Sequence, residues 1–209
     1  MRIVGLTGSI GMGKSAAATM LRRQGVWVHD ADAAVHRLLG KGGAAVAAIG
    51  EAFPGVVKNG AVDRIALGKR VFGDTKALRR LEAIVHPLVR AQTDRFIAAA
   101  ARAGQPLVIL DIPLLYETGG RRVDNTIVVS APAFLQAQRV LRRPGMSAEK
   151  FAQILSRQMP DREKRRRADA IVTSGLGKAS TYRQLAQAVR GLRQQPARSW
   201  SPGYTHRRS

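Results

Sequence analysis

The residues with the clearest chemical potential form a glycine-rich run near the N-terminus, Gly8-Ser9-Ile10-Gly11-Met12-Gly13-Lys14-Ser15. Its glycines let the backbone wrap so that several N–H groups face one centre, and a helix N-terminus directly after it adds positive potential. Lys14 is placed to reach the β- and γ-phosphates of a nucleotide, and Ser15 to ligate Mg²⁺. The run fits the Walker A pattern and predicts a nucleoside triphosphate site.

Two acidic positions follow predicted strands and are candidates for the reacting edge of this site. The carboxyl ends of parallel strands open onto one crevice, which is where we expect Asp32 and Asp111 to lie. Asp32 there can accept the proton of an acceptor hydroxyl, and Asp111 can hold Mg²⁺. Each also has a structural interpretation: Asp30 or Asp32 can cap the next helix, and Asp111 can be a turn residue.

The elements that must position these residues alternate between apolar runs and helical segments. The predicted strands are Arg2 to Thr7, Val26 to Val28, Pro106 to Leu110, Thr126 to Val129 and Ala170 to Val172. Continuous apolar runs separated by helices indicate parallel strands covered on both faces. We therefore expect an α/β P-loop fold, with a five-stranded parallel sheet flanked by helices.

Two segments interrupt this core. Residues 33–104 are dominated by Ala, Leu, Arg and Glu and exceed a normal crossover in length, which predicts a helical insertion that binds the acceptor. Residues 142–167 are rich in basic side chains and predict a lid over anions. The nucleotide-binding core then comprises residues 1–32, 105–141 and 168–195. A basic tail, residues 196–209, is expected to be disordered.

Composition narrows the class of protein. The 209 residues are 45% hydrophobic and 23% charged, which is ordinary for a globular domain. The absence of cysteine excludes a disulfide framework, a thiolate zinc site and a cysteine nucleophile. There is neither a signal-peptide pattern nor an apolar run of membrane-spanning length, so we expect a cytoplasmic protein with no membrane partner.

The formal charge of +21 favours a polyanionic partner, either a nucleotide-like molecule or a nucleic acid. Ten basic residues stand against three acidic ones between Arg139 and Arg167, although a solvated helical face has the same composition. These basic residues are not interleaved with aromatic ones, which disfavours nucleic acid. The guanine-reading and switch motifs of GTPases do not occur, and the layout favours an ATP-dependent small-molecule kinase.

Several segments of the chain, spread over nearly Met1 to Arg193, resemble the dephospho-CoA kinase family. The resemblance is carried by Ile3-Val4-Gly5-Leu6-Thr7-Gly8 with the phosphate loop, Asp30-Ala31-Asp32, Leu81-Glu82-Ala83-Ile84-Val85-His86-Pro87, Asp111-Ile112-Pro113-Leu114-Leu115-Tyr116-Glu117, Gln138-Arg139, Arg143, Gln158-Met159, Glu163-Lys164 and Ala168-Asp169. The chain departs from the family at Thr173-Ser174-Gly175, where a turn containing Asp-Asn is frequent, and at Gln153, where Arg is common.

This resemblance implies transfer of the ATP γ-phosphoryl group to the 3′-hydroxyl of dephospho-CoA. It makes Asp32 the better candidate for the base and brings Arg139 and Arg143 to the nucleotide phosphates beside Lys14. It implies acceptor contacts by Asp32, His86, Asp111, Leu114 and Glu117, with Arg64 a weaker candidate. His86 can equally be a packing residue, and Glu117 and Arg64 can form surface ion pairs. Kinases for other small acceptors remain the alternative.

Overall fold

The computed structural model describes residues 1–119 and 123–194, and they divide into two compact units. The core unit comprises Met1–His29 and the described residues from Ala100 onward, and the inserted unit comprises Asp30–Ala99. The tail predicted at 196–209, together with residue 195, lies outside the described residues.

Strands and helices alternate along the core unit, and in the sequence a helix-rich insertion separates its two parts. In chain order the elements are β1 (Arg2–Thr7), α1 (Lys14–Arg23), β2 (Trp27–Asp30), α2 (Ala31–Leu39), α3 (Val46–Ala52), β3 (Val57–Lys58), β4 (Ala61–Val62), α4 (Arg64–Val71), α5 (Thr75–Arg102), β5 (Leu107–Asp111), β6 (Asn125–Ser130), α6 (Ala133–Leu141), α7 (Ala148–Ser156), α8 (Asp161–Arg167), β7 (Ala170–Thr173) and α9 (Lys178–Gln194).

The sheet of the core unit is five-stranded and parallel, as the apolar runs predict. The structure shows its strand order to be β2-β5-β1-β6-β7. β1 is the central strand, and all six of its residues are buried, which fits a strand covered on both faces. In the pairing of β1 with β5, Leu6 lies opposite Asp111. Asp111 is therefore beside the end of β1, where the phosphate loop begins.

One layer of the core is formed by α1 and α9 against the sheet. Leu21 of α1 and Leu185 of α9 are completely buried among strand residues such as Leu6 and Ile109. Burying a side chain of this size contributes roughly 1.5–3 kcal/mol, so the layer fixes the helix that follows the phosphate loop. The loop is held at one end by β1 and at the other by α1.

The inserted unit has a hydrophobic core of its own. It brings together α2, α3, α4 and the first part of α5 around buried side chains. The core residues are Leu38, Leu39, Ala45, Ile49, Phe53, Val56, Val62, Leu67 and Val85.

To the helices predicted for the insertion the structure adds an antiparallel hairpin, β3 and β4. Its turn is Asn59-Gly60, with φ values of 51° and 75°. Asn-Gly favours the tight turn in which both central residues have positive φ. Asn59-Gly60 is therefore the sequence feature that indicates this hairpin. The flanking strands are too short to give an alternating pattern of apolar and polar residues.

Candidate active site

The phosphate loop runs from the end of β1 to the start of α1, and its shape depends on glycine. A Cβ atom on Gly8 would lie 2.6 Å from the Val129 carbonyl oxygen, so only glycine fits there. Gly11 and Gly13 have φ values of 78° and 91°, a region that favours glycine. Ser9 Oγ is buried and has no hydrogen-bond partner among the described residues. The glycines therefore allow the backbone of the loop to adopt the tight curvature that binding a phosphate group requires.

Side chains hold the backbone of the loop from outside. Gln136 Nε2 of α6 donates to the Ile10 carbonyl at 2.8 Å, and Ser174 Oγ, after β7, donates to the Met12 carbonyl at 2.6 Å. Arg139 Nη1 donates to Ser174 Oγ at 2.8 Å, and to the Gly11 carbonyl at 3.4 Å. Three successive carbonyl oxygens of the loop thus accept hydrogen bonds from side chains.

Lys14 and Asp111 form the central ion pair of the site. Lys14 Nζ lies 2.6 Å from Asp111 Oδ1, and the Asp111 side chain is only 3% exposed. Ser15 is exposed in the first turn of α1, and no side chain caps that helix. A buried carboxylate, an ammonium group and an uncapped helix start therefore meet where the loop ends.

Glu117, after β5, is bound to the segment preceding β7. Its Oε1 accepts a hydrogen bond from Met159 N at 2.8 Å and lies 2.9 Å from Nζ of Lys164, whose side chain is completely buried. Burial disfavours the charge of Glu117, but the Lys164 and Met159 contacts outweigh it and lower the pKa of Glu117. Leu114, also predicted at the site, is 41% exposed.

The segment predicted as a lid contains α7 and α8, and its two parts differ in their attachment. The second part, α8, is attached to β6, because Ser130 Oγ donates to Asp161 Oδ2 at 2.7 Å. It is also attached to the segment after β5, because Lys164 pairs with Glu117. Gln158 Oε1 also accepts from Ile10 N of the phosphate loop at 3.0 Å. Arg143, the lid arginine of the sequence prediction, is exposed in the connection between α6 and α7.

The inserted unit carries the remaining predicted residues. Asp30 Oδ1 accepts from Ala33 N at 2.9 Å and caps α2, whereas Asp32 is exposed in the first turn of that helix. His86 is exposed on α5, one residue before Pro87. Arg64 Nη1 lies 3.1 Å from Nδ1 of His36 at the surface of this unit.

The sequence model of the dephospho-CoA kinase family matches residues 2–178. The chain belongs to the dephospho-CoA kinase family. Members of this family are ATP-dependent kinases, which agrees with a complete phosphate loop in the core unit.

Individual relatives extend the match over most of the chain. It is 66% identical over 166 residues to a dephospho-CoA kinase of Paramagnetospirillum magneticum, covering 79% of this chain and 78% of the relative. It is 56% identical over 203 residues to one of Rhodospirillum rubrum, covering 96% of each. A crystal structure from Thermus thermophilus has a TM-score of 0.78 and 37% identity, covering 91% of this chain and 97% of that one.

Two classes of feature are absent from residues 1–119 and 123–194. None of the helices there is both long enough and apolar enough to cross a membrane. Nor does any group of three or more His, Cys, Asp or Glu side chains converge there as metal ligands.

Sequence reasoning did not identify Gln136, Gln158 or Ser174 as partners of the phosphate loop. Gln158 and Ser174 were noted only for their agreement with, or departure from, the family pattern, and Gln136 carried no signal. Gln136 is 6% exposed, but a glutamine in a helical segment does not indicate from the sequence that its side chain is buried against a loop.

Proposed function

We propose that the chain transfers the γ-phosphoryl group of ATP to the 3′-hydroxyl of dephospho-CoA, giving ADP and CoA. The observation that carries the proposal is the phosphate loop with Lys14 beside Asp111, in a chain of the dephospho-CoA kinase family. Gly8 to Ser15 bind the ATP phosphates through backbone N–H groups and through Lys14.

Ser15 and Asp111 are the proposed Mg²⁺ ligands. Both offer oxygen atoms, which this hard cation prefers, and it is usually held by one or two protein groups together with phosphate oxygens. The buried Asp111 carboxylate at the end of β5 and the exposed Ser15 hydroxyl fit that role. When bound, Mg²⁺ supplies positive charge that stabilises the phosphate oxygens.

Asp32 is the proposed base of the transfer. It accepts the proton of the 3′-hydroxyl while that oxygen bonds to the γ-phosphorus and the bond from this phosphorus to the β–γ bridging oxygen breaks. Its carboxylate is exposed and does not cap α2, since Asp30 has that function. Lys14 and Arg143 stabilise the negative charge on the transferring group.

Arg139 has a proposed role in addition to the phosphate contact that the resemblance implies. Its Nη1 and Nη2 atoms are used by Ser174 and by the phosphate loop, at 2.8 Å to Ser174 Oγ and 2.9 Å to Ser174 O. We therefore assign Arg139 to holding the loop.

The acceptor is proposed to bind through the inserted unit and the segment after β5. Leu114 is an exposed apolar contact, and Asp32 and His86 are exposed polar ones on the inserted unit. Glu117 contributes indirectly, because its Oε1 is engaged by Met159 and Lys164. Residues 142–157 form the mobile part of the proposed lid, and α8 forms its base.

An acceptor panel tests this function. ADP release is measured with dephospho-CoA, adenosine, AMP, shikimate and no acceptor, at equal enzyme and ATP concentrations. The proposal predicts that dephospho-CoA gives a kcat/KM at least about a hundredfold above the other acceptors, since a site built for its polar groups rejects compounds that lack them. A higher kcat/KM with any other acceptor would overturn the assignment.

A further inference from the structure

We propose that Gln136 and Ser174 are positioning residues for ATP, because they hold the carbonyl oxygens of the phosphate loop outward and so aim its N–H groups at the nucleotide. The inference rests on the proposed function in that the loop binds ATP. It assigns roles to two side chains that lie outside the Walker A pattern.

The geometry of the peptide unit links each held carbonyl to the direction of the next N–H group. In a trans peptide the C=O and the N–H point in opposite directions, and no cis peptide bond occurs in the described chain. The carbonyl of Ile10 is held by Gln136, so the N–H of Gly11 points away from α6. The carbonyl of Met12 is held by Ser174, so the N–H of Gly13 points away from the turn after β7.

Glycine at positions 11 and 13 makes this orientation possible, but it does not select it. Glycine adopts positive φ about as readily as negative φ, so an isolated loop would lose considerable conformational entropy on binding phosphate. Hydrogen bonds from outside select one orientation before the nucleotide arrives, and preorganisation of this kind raises affinity. A separate N–H of the loop, that of Met12, is already used by the Ser9 carbonyl at 3.1 Å.

Gln136 and Ser174, the two braces of the phosphate loop, lie on different elements, and each is held in place by its surroundings. Gln136 is 6% exposed and lies in the first turns of α6, and a Cβ atom on Gly11 would approach its carbonyl oxygen to 3.0 Å. Ser174 is held by Arg139, which donates to its hydroxyl and to its carbonyl. Hydrogen bonds therefore connect the phosphate loop, α6 and the turn after β7. The hydroxyl of Ser174 in this network belongs to Thr173-Ser174-Gly175, where the chain departs from the family pattern.

Ile10 offers a matched pair of variants, because a glutamine engages each of its backbone groups. Gln136 Nε2 donates to its carbonyl, and Gln158 Oε1 accepts from its N–H. Gln136→Glu removes the donor and adds a negative charge. Gln158→Glu keeps the acceptor and adds a similar charge beside the same residue, so it measures the effect of charge alone.

The experiment measures affinity for a nonhydrolysable ATP analogue by calorimetry without acceptor, together with KM for ATP, KM for dephospho-CoA and thermal stability. We expect Gln136→Glu to bind the analogue about tenfold more weakly than Gln158→Glu, the size of one well-formed hydrogen bond. The neutral variants Gln136→Leu and Ser174→Ala should each lose about fivefold in affinity, with KM for ATP raised and KM for dephospho-CoA unchanged.

Equal analogue affinity in Gln136→Glu and Gln158→Glu, with wild-type affinity in Gln136→Leu and Ser174→Ala, would overturn the proposal. So would a loss of thermal stability with no change in analogue affinity, which is the result a purely structural role gives. If Gln136→Glu does not fold, the two neutral variants decide. Failure of the wild-type protein to bind the analogue would instead count against the proposed function, so the two failures are distinguishable.

Discussion

Asp30 Oδ1 accepts a hydrogen bond from Ala33 N at 2.9 Å and thereby caps α2. Asp32, two residues later, is exposed in the first turn of the same helix. The two carboxylates are adjacent in sequence to the same strand end, yet only one of them has a structural role there, which leaves the other available for chemistry.

Asp32→Asn is expected to lower kcat by about a hundredfold, near the lower end for a general base, because a loose phosphoryl-transfer transition state needs little early proton removal. Thermal stability should not change, since the side chain caps nothing. Dephospho-CoA binding measured by calorimetry without ATP should stay the same or tighten, because a carboxylate repels an anionic substrate.

The matched control is Asp30→Asn, the same chemical change at the capping position. Asn caps about as well as Asp, so both activity and stability should survive. A wild-type kcat in Asp32→Asn would exclude Asp32 as the base.

Lys14→Met should lower kcat/KM by at least about a hundredfold, because it removes a charge directed at the transferring phosphoryl group. It also leaves the buried Asp111 without the ammonium group that lies 2.6 Å away, so stability should fall. Adding Asp111→Asn should recover stability and no activity. Steady-state kinetics and thermal unfolding separate the two effects.

Lys178→Met is the control for the Lys14 substitution, since Lys178 is exposed at the start of α9. It should leave both kinetics and unfolding unchanged. Near-normal turnover in Lys14→Met would be incompatible with the assigned phosphate site.

Glu117 should make stability depend on acid pH. Its pKa in the folded protein is below its ordinary value of 4.5, so its contribution is complete above pH 4.5 and is lost as pH falls through the folded value. Glu117→Gln should cost about 3 kcal/mol at pH 7, because it leaves Lys164 buried without its carboxylate. This cost should diminish as the pH falls below 4.5 and through the lowered pKa of Glu117 in the folded protein. Urea unfolding at several pH values measures both quantities.

A double-mutant cycle with Lys164→Met identifies the partner responsible. The double variant should be more stable than the sum of the two single effects implies, by about 1–3 kcal/mol. Strict additivity would show that Glu117 and Lys164 do not stabilise the protein through each other.

Binding of a nonhydrolysable ATP analogue should slow amide hydrogen exchange in α7 and leave α8 unchanged. The expectation follows from the attachments of α8 to the sheet through Asp161 and Lys164. Hydrogen exchange with mass spectrometry resolves the two helices. Equal exchange of α7 with and without the analogue would identify residues 142–167 as a static basic surface.

The sheet and the phosphate loop were predictable because their signals are local or follow from a topological rule. Continuous apolar runs predicted parallel strands, and the end of one such run placed Asp111 beside the loop. The choice between Asp30 and Asp32 as the cap was not predictable, since it depends on α2 beginning at Ala31, and both residues suit an N-cap.

The hydrogen bonds by which Gln136 and Ser174 hold the phosphate loop could not be predicted from the sequence, because they join residues that are far apart along the chain. Gln136 is 126 residues from Ile10, and Ser174 is 162 residues from Met12. Neither glutamine nor serine is distinctive by type. Only the tertiary fold brings α6 and the turn after β7, a strand separated from β1 by β6, to the loop. The buried pair of Lys164 and Glu117 is of the same kind, since Lys164 stands in a run of exposed basic residues.

The position of the transferred phosphoryl group on the product distinguishes a dephospho-CoA 3′-kinase from a kinase with another acceptor. The wild-type protein is incubated with ATP, Mg²⁺ and dephospho-CoA, and the product is examined by ³¹P NMR with coupling to the ribose protons, with Lys14→Met as the inactive control. We expect one new phosphomonoester, on the ribose 3′-oxygen, formed in equal amount with ADP. Phosphorylation at another oxygen, or ADP formation without a phosphorylated acceptor, would contradict it.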